Sequence, residues 1–212
     1  MPDTTKTIVR SRYSGLRDIY VALVTQNTAT EYAAGTPVKM PRAISGKVAD
    51  KFSTEKIFSD DGVEDTSKSY EGTEVEFEVN NLAPQDRALV FDQFYSNGFL
   101  VKSAEDNAPE VALAFRARKL NGKYDFVWLY CGTFGEGNED AFATEADKKS
   151  PQTASLKGQF YQRQKEDVLP DGKRRHLYEM RVDEANLLEE HADAKAAIDA
   201  WFSEVQEFKA AG

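Results

Sequence analysis

Three features of the sequence predict a mainly β fold of sandwich type, with one flanking α-helix, a C-terminal helix and long protruding loops. The run Glu74-Val75-Glu76-Phe77-Glu78-Val79 alternates without a break, the period of a strand with one buried and one wet face. Residues 111–120 and 124–134 are two apolar runs joined through Asn121-Gly122, the pair favoured where both central residues of a type I′ hairpin turn need positive φ. Hydrophobic residues make up 41% and charged residues 30% of the 212, enough apolar content to offset the entropy of ordering one domain of somewhat above typical size.

The elements follow in order. Residues 1–18 read as an extended basic arm carrying Lys6, Arg10, Arg12 and Arg17 against Asp3. A body at 19–190 opens with the apolar run at 19–24, a strand bounded downstream by polar residues, Gly35 and Pro37. Ile44, Val48, Phe52 and Phe58 alternate imperfectly, as in a long strand with a bulge. Residues 59–72 are polar and acidic around Asp61-Gly62, so a protruding loop or hairpin tip is expected there. Pro84 at a first helical position, followed by Leu89, Val90, Phe91, Phe94 and Tyr95 and stopped by Asn97-Gly98, predicts a helix over about 84–96.

The run at 124–130 is apolar on both faces, as a central strand should be, and 135–151 reads as a long acidic loop. Residues 153–162 and 174–182 give two more strands around the turn Pro170-Asp171-Gly172. A helical segment at 191–212 then carries Ile198, Trp201, Phe202, Val205 and Phe208 at spacings of three and four, a stripe that docks on its own domain or on a neighbour.

Composition narrows the function classes. A net charge of −9 argues against holding nucleic acid through its phosphates, which needs Lys and Arg to release counterions. One cysteine, Cys131, in a strand run predicts a buried inert thiol, and with His176 and His191 alone no Cys/His metal cluster can form. No phosphate-cradling loop and no nucleophile elbow is present, and Gly132, Gly135 and Gly137 have the wrong spacing for a dinucleotide fingerprint. The expectation is a protein that is not an enzyme, with no catalytic residues, metal or cofactor. No apolar run approaches ~20 residues and no apolar stretch follows the first residues, so a cytoplasmic product without a membrane partner is expected. The alternative is a monomeric acidic β-sandwich that binds a ligand or cation through its long loops; a hydrolase using scattered carboxylates is weaker.

The order of motifs carries a resemblance. Ser59-Asp60-Asp61-Gly62-Val63, then residues 74–80, then Asn97-Gly98-Phe99-Leu100-Val101 resemble the major tail proteins of long, non-contractile-tailed bacteriophages. Val111-Ala112-Leu113-Ala114-Phe115-Arg116, the 121–130 hairpin, Gly132-Thr133-Phe134, Leu156-Lys157-Gly158-Gln159-Phe160 and Trp201-Phe202 continue the match, over roughly residues 13–205.

The resemblance implies a tail-tube fold, similar also to the tube proteins of type VI secretion. It implies a virion protein, made in the host bacterial cytoplasm, that forms hexameric rings stacked around a lumen through which DNA passes without specific binding. It further implies a tape-measure protein and tail terminator and baseplate proteins as partners. On this reading Glu74, Glu76 and Glu78 are candidates to face the lumen, where carboxylates repel phosphates. Asp60, Asp61, Glu64 and Asp65 are candidates for contact between rings, with Arg10, Arg12 and Arg17 of the arm as their basic partners and Ile198, Trp201, Phe202 and Val205 as the packing face of the C-terminal helix.

Overall fold

The computed structural model describes residues 7–59, 62–135 and 153–208. Thirteen strands occur among them: β1 (Tyr13–Asn27), β2 (Tyr32–Ala34), β3 (Val38–Lys39), β4 (Ala43–Ser59), β5 (Gly62–Val79), β6 (Phe94–Ser96), β7 (Phe99–Val101), β8 (Val111–Lys119), β9 (Tyr124–Phe134), β10 (Ala154–Tyr161), β11 (Glu166–Val168), β12 (Arg174–His176) and β13 (Glu179–Asp183). Two helices, α1 (Pro84–Phe91) and α2 (Ala192–Asp199), join them. The fold is mainly β.

One antiparallel sheet dominates, in the order β2-β1-β8-β9-β10-β5-β4, with β3 on the outer edge of β1 and β13 beside β10 on β9. It folds over on itself so that β4 approaches β1: a Cβ on Gly46 would stand 2.5 Å from Leu16 and 2.6 Å from the Phe77 ring. A side chain there would force Leu16 or the buried Phe77 ring to move. The enclosed core joins Ile19 and Val21 of β1, Val75, Phe77 and Val79 of β5, Leu113 of β8, Leu129 of β9 and Leu156 of β10, with Val90 and Phe91 of α1 packed among them. A second apolar cluster lies on the other face of β1, β8 and β9, where Phe126, Trp128, Ala112 and Ala114 are covered by the C-terminal segment through Trp201. That two-sided cover explains the apolar character of β9 on both faces.

Several sequence-based expectations are corrected. Of the loop or hairpin tip expected at 59–72, the loop is replaced by a hairpin: residues 62–72 are strand, and β4 and β5 stay paired from Ala43↔Val79 to Ser59↔Gly62. The 84–96 helix stops at Phe91, because Asp92 turns left-handed at φ 55 and caps it. Residues 94–101 form a small hairpin instead, turning through Asn97 (φ 50) and Gly98 (φ 85). This is where the two positive φ values of a type I′ turn fall.

At Asn121-Gly122 only Gly122 is left-handed. Gly122 N–H donates to the Lys119 carbonyl at 3.0 Å and Lys119 N–H to the Lys123 carbonyl at 2.8 Å, a three-residue loop with a bulge. Leu169 to Lys173 repeat that geometry around Gly172, joining β11 to β12, and Leu177-Tyr178 split the predicted 174–182 strand in two. The first strand starts at Tyr13, so Arg17 belongs to the sheet, opposite Arg116. Helix α2 ends at Asp199, so Trp201, Phe202 and Val205 follow it in turns and irregular chain rather than on a helical stripe.

The early part of β1 bulges between Arg17 and Tyr20, where Asp18 adopts φ 51. Its carboxylate accepts from Arg116 Nε at 2.7 Å and from Lys39 Nζ at 2.8 Å. Burial pushes the carboxyl upward, but the hydrogen bonds from Lys39 and Arg116 outweigh it and hold the group below its ordinary value. A carboxyl depressed by folding stabilises fully above its ordinary range, and that stabilisation is lost as pH falls through the depressed value. Asp18→Asn, which keeps a side chain tolerant of the left-handed region, is expected to cost ~1–3 kcal/mol in urea unfolding at neutral pH. The difference from the unsubstituted chain should shrink as pH drops below about 4; a constant difference across that range would contradict the ion pair.

Candidate assembly surfaces

The β4–β5 hairpin positions the first surface. Strand β10 supports β5 only from Thr73 to Val79, so β4 and β5 run beyond Lys51 and Gly72 as a two-stranded arm with no third strand among the described residues. At ~3.3 Å per residue the eight positions from Phe52 to Ser59 reach ~26 Å past the sheet. The base of the arm is tied down: Thr73 Oγ1 donates to Asp50 at 2.6 Å, Tyr70 stacks on Tyr178 at 4.2 Å, and the Lys68 ammonium sits 4.2 Å from the Phe52 ring. Of the predicted contact residues between rings, Asp60 and Asp61 lie outside the described residues, and Glu64 and Asp65 fall in β5 of the arm. β4 is also the outermost strand of the sheet, so its far edge carries no strand partner among the described residues.

The second surface is the wet face of β5. Glu74 and Glu76 are exposed and Glu78 half-buried, while Val75, Phe77 and Val79 point into the core. The neighbouring strands place lysines on this face: Lys51 Nζ lies 3.0 Å from Glu74 and Lys157 Nζ 3.2 Å from Glu76, with Lys47 paired opposite Glu76 in the ladder. Glu78 accepts from Thr153 Oγ1 at 2.8 Å and Ser45 Oγ at 3.1 Å. The adjacent glutamates therefore do not stand as an unrelieved acidic stripe, because three lysines interleave three carboxylates and offset their repulsion.

Residues 9–12 of the basic arm are held against their own domain. Val9 N–H donates to Asn186 Oδ1 at 2.8 Å, Asn186 Nδ2 to the Val9 carbonyl at 3.1 Å, and Leu120 N–H to the Arg12 carbonyl at 2.9 Å. Arg10 and Arg12 are exposed on this pinned segment, and Arg17 is exposed within β1.

The C-terminal segment docks on its own domain. Trp201 is fully buried, its carbonyl accepts from Trp128 Nε1 at 3.1 Å, and Ile198, Phe202 and Val205 pack around it. A buried arginine closes this strap. Arg163 sits between the rings of Tyr32 and Tyr130, at 5.0 and 4.4 Å, and donates to Asp167 at 2.6 Å and Glu207 at 2.8 Å; Lys165 joins Glu207 at 2.7 Å. Nothing in the sequence singled out Arg163, because its partners lie at 4 and 44 residues' remove and two further strands supply the rings.

Burial pushes the Cys131 thiol up to about 12, which keeps it protonated and unreactive. His176 is exposed on β12, with Nδ1 3.3 Å from the Lys165 carbonyl. Among the described residues no three His, Cys, Asp or Glu side chains are grouped to hold a metal ion, and no helix is long and apolar enough to cross a membrane. Compared with known proteins, the chain matches no family model and no curated protein sequence.

Proposed function

We propose that the chain is a non-enzymatic structural subunit of a phage virion, the major tail-tube protein of a long non-contractile tail, which assembles with copies of itself into stacked hexameric rings around a DNA-conducting lumen. The observation that carries this reading is the β4–β5 arm, ~26 Å of two-stranded hairpin that, beyond the stack of Tyr70 on Tyr178 at its base, has no third strand beside it among the described residues. An isolated hairpin is marginal in water and exposes two edges, a liability that natural proteins cover. A neighbouring copy is the economical cover. The free edge of β4 offers a second contact, since an edge strand pairs readily with a strand of another chain.

Six-fold rings, the tape-measure protein and the terminator and baseplate proteins as partners, and location in the virion come from the order of motifs. Heterologous contacts that close by rotation give rings, and those that do not close give filaments, so a tube uses both kinds. Glu74, Glu76 and Glu78 remain the lumen candidates, with a changed role. Each lysine tied to a glutamate on this face is a cation less available to a DNA phosphate, so the polymer slides past without the counterion release that would hold it.

Sedimentation velocity over a concentration series tests the reading. The expected result is a shift from a 23.7-kDa species to hexamers and larger polymers. A single 23.7-kDa species at every concentration and salt would overturn it.

A further inference from the structure

We propose that the exposed face of the β6–β7 hairpin is the docking site for the arginine-bearing end of the sheet in a second copy of this chain. The inference rests on the self-assembly reading and names which surfaces meet. Because Phe94 pairs with Val101 and Ser96 with Phe99, the side chains of Phe94, Phe99 and Val101 share one face of the hairpin. They are 66%, 72% and 54% exposed, while Leu100 on the opposite face is half-buried. Two phenyl rings and a valine held in water on a two-stranded ribbon mark an interaction surface rather than scattered surface apolarity. The segments flanking it carry the exposed Asp92 and Glu105 against the exposed Lys102, two carboxylates to one base, so the balance at its rim is acidic.

The complementary surface lies at the other end of the same strands. The β6–β7 hairpin and the following connection lead into Val111 at the start of β8, whereas the arginine-bearing end surrounds the turn after Lys119. The nine residues of β8 separate the two ends by ~30 Å. At the far end Ile8, Tyr13 and Leu120 are 62%, 57% and 71% exposed, interleaved with the exposed Arg10, Arg12 and Arg118. Among the described residues these three arginines have no carboxylate at ion-pair distance. The hydrogen bonds that pin Val9, Ser11 and Arg12 to the domain order this surface before any partner arrives, which lowers the entropy lost on binding.

Each surface pairs an apolar centre with a charged rim, and the rims have opposite sign. Hairpin against hairpin, or arginine end against arginine end, sets like charges face to face. Hairpin against arginine end matches them, with burial of the apolar centres supplying the attraction and the charges the orientation. Since the surfaces stand at opposite ends of one subunit, the contact is heterologous and passes from copy to copy head to tail. The basic residues thus meet the hairpin rather than the acidic 59–72 segment that charge blocks along the sequence suggest.

The test uses the full chain and sedimentation velocity, with a thermal melt for each variant. Phe99→Asp is expected to raise the concentration needed for assembly about tenfold or more while leaving the melt unchanged. Arg12→Glu with Arg118→Glu makes both ends acidic, and Glu105→Lys with Asn107→Lys makes both basic; each double variant should assemble poorly alone. An equimolar mixture of the two should recover assembly by alternating copies. If the unsubstituted chain assembles and Phe99→Asp does so at the same concentration, or if the mixture is no better than its parts, the docking site is wrong while the self-assembly reading stands. An unsubstituted chain that stays monomeric overturns both.

Discussion

Trp201→Ala is expected to lower the free energy of unfolding by about 3–5 kcal/mol in a urea titration, the cost of deleting a fully buried aromatic side chain that its surroundings cannot refill. Trp201 is wholly buried, edge-on to Phe126 at 5.6 Å, and lies over the outer face of β1, β8 and β9. The backbone carbonyl that Trp128 Nε1 uses survives the substitution, so the loss reports packing rather than a broken hydrogen bond. The effect should extend along the strap, since Arg163 holds Glu207 only if the intervening residues stay seated. A loss below about 1 kcal/mol, within the range of ordinary surface substitutions, would contradict the role of Trp201 as the anchor of the C-terminal segment.

Shortening the β4–β5 arm should have the opposite signature. A chain in which Ser53 is joined to Ser69 through Asn-Gly keeps the pairing of Asp50 with Thr73 and the stack of Tyr70 on Tyr178, along with every strand contact of the enclosed core. Its melting temperature should stay within a few degrees of the parent's, because the enclosed core and the Tyr70–Tyr178 stack at the base of the arm are retained. Assembly, followed by light scattering, should be lost at concentrations where the full-length chain polymerises. Polymerisation at an unchanged concentration would show that the arm is dispensable and would remove the main support for the tube reading.

These two regions also show what the sequence discloses. The glutamate alternation in β5 was legible because burial on one face imposes a period of two, and Val75, Phe77 and Val79 are buried as that period requires. The lysines that offset those glutamates were not, since they arrive from β4 and β10, with Lys51 lying 23 residues from Glu74 and Lys157 81 residues from Glu76. The same limit hid the clasp around Arg163, whose two aromatic walls come from β2 and β9.

The two Asn-Gly pairs are instructive because the dipeptide names a turn without naming its length. At 97–98 it makes the two-residue turn with positive φ at both positions, and three residues on each side are enough for a hairpin where a helix end was expected. At 121–122 Leu120 joins the loop, and asparagine keeps a negative φ. Phe94, Phe99 and Val101 were visible as apolar residues around that first pair, but a helical reading of 84–96 assigned Phe94 to a packed face. Similarly, Ile198, Trp201, Phe202 and Val205 cluster as the stripe implied, yet α2 ends before three of them. Packing onto an already formed sheet needs the right residues near one another, not a continued helix.

Electron microscopy of the purified, concentrated chain tests the central claim most directly. The account predicts ring-shaped particles with six-fold symmetry and a hollow centre, stacked end to end into tubes, with the face bearing Glu74, Glu76 and Glu78 turned toward the lumen. Uniformly dispersed single domains under all conditions, or polymers without a central channel, would contradict it.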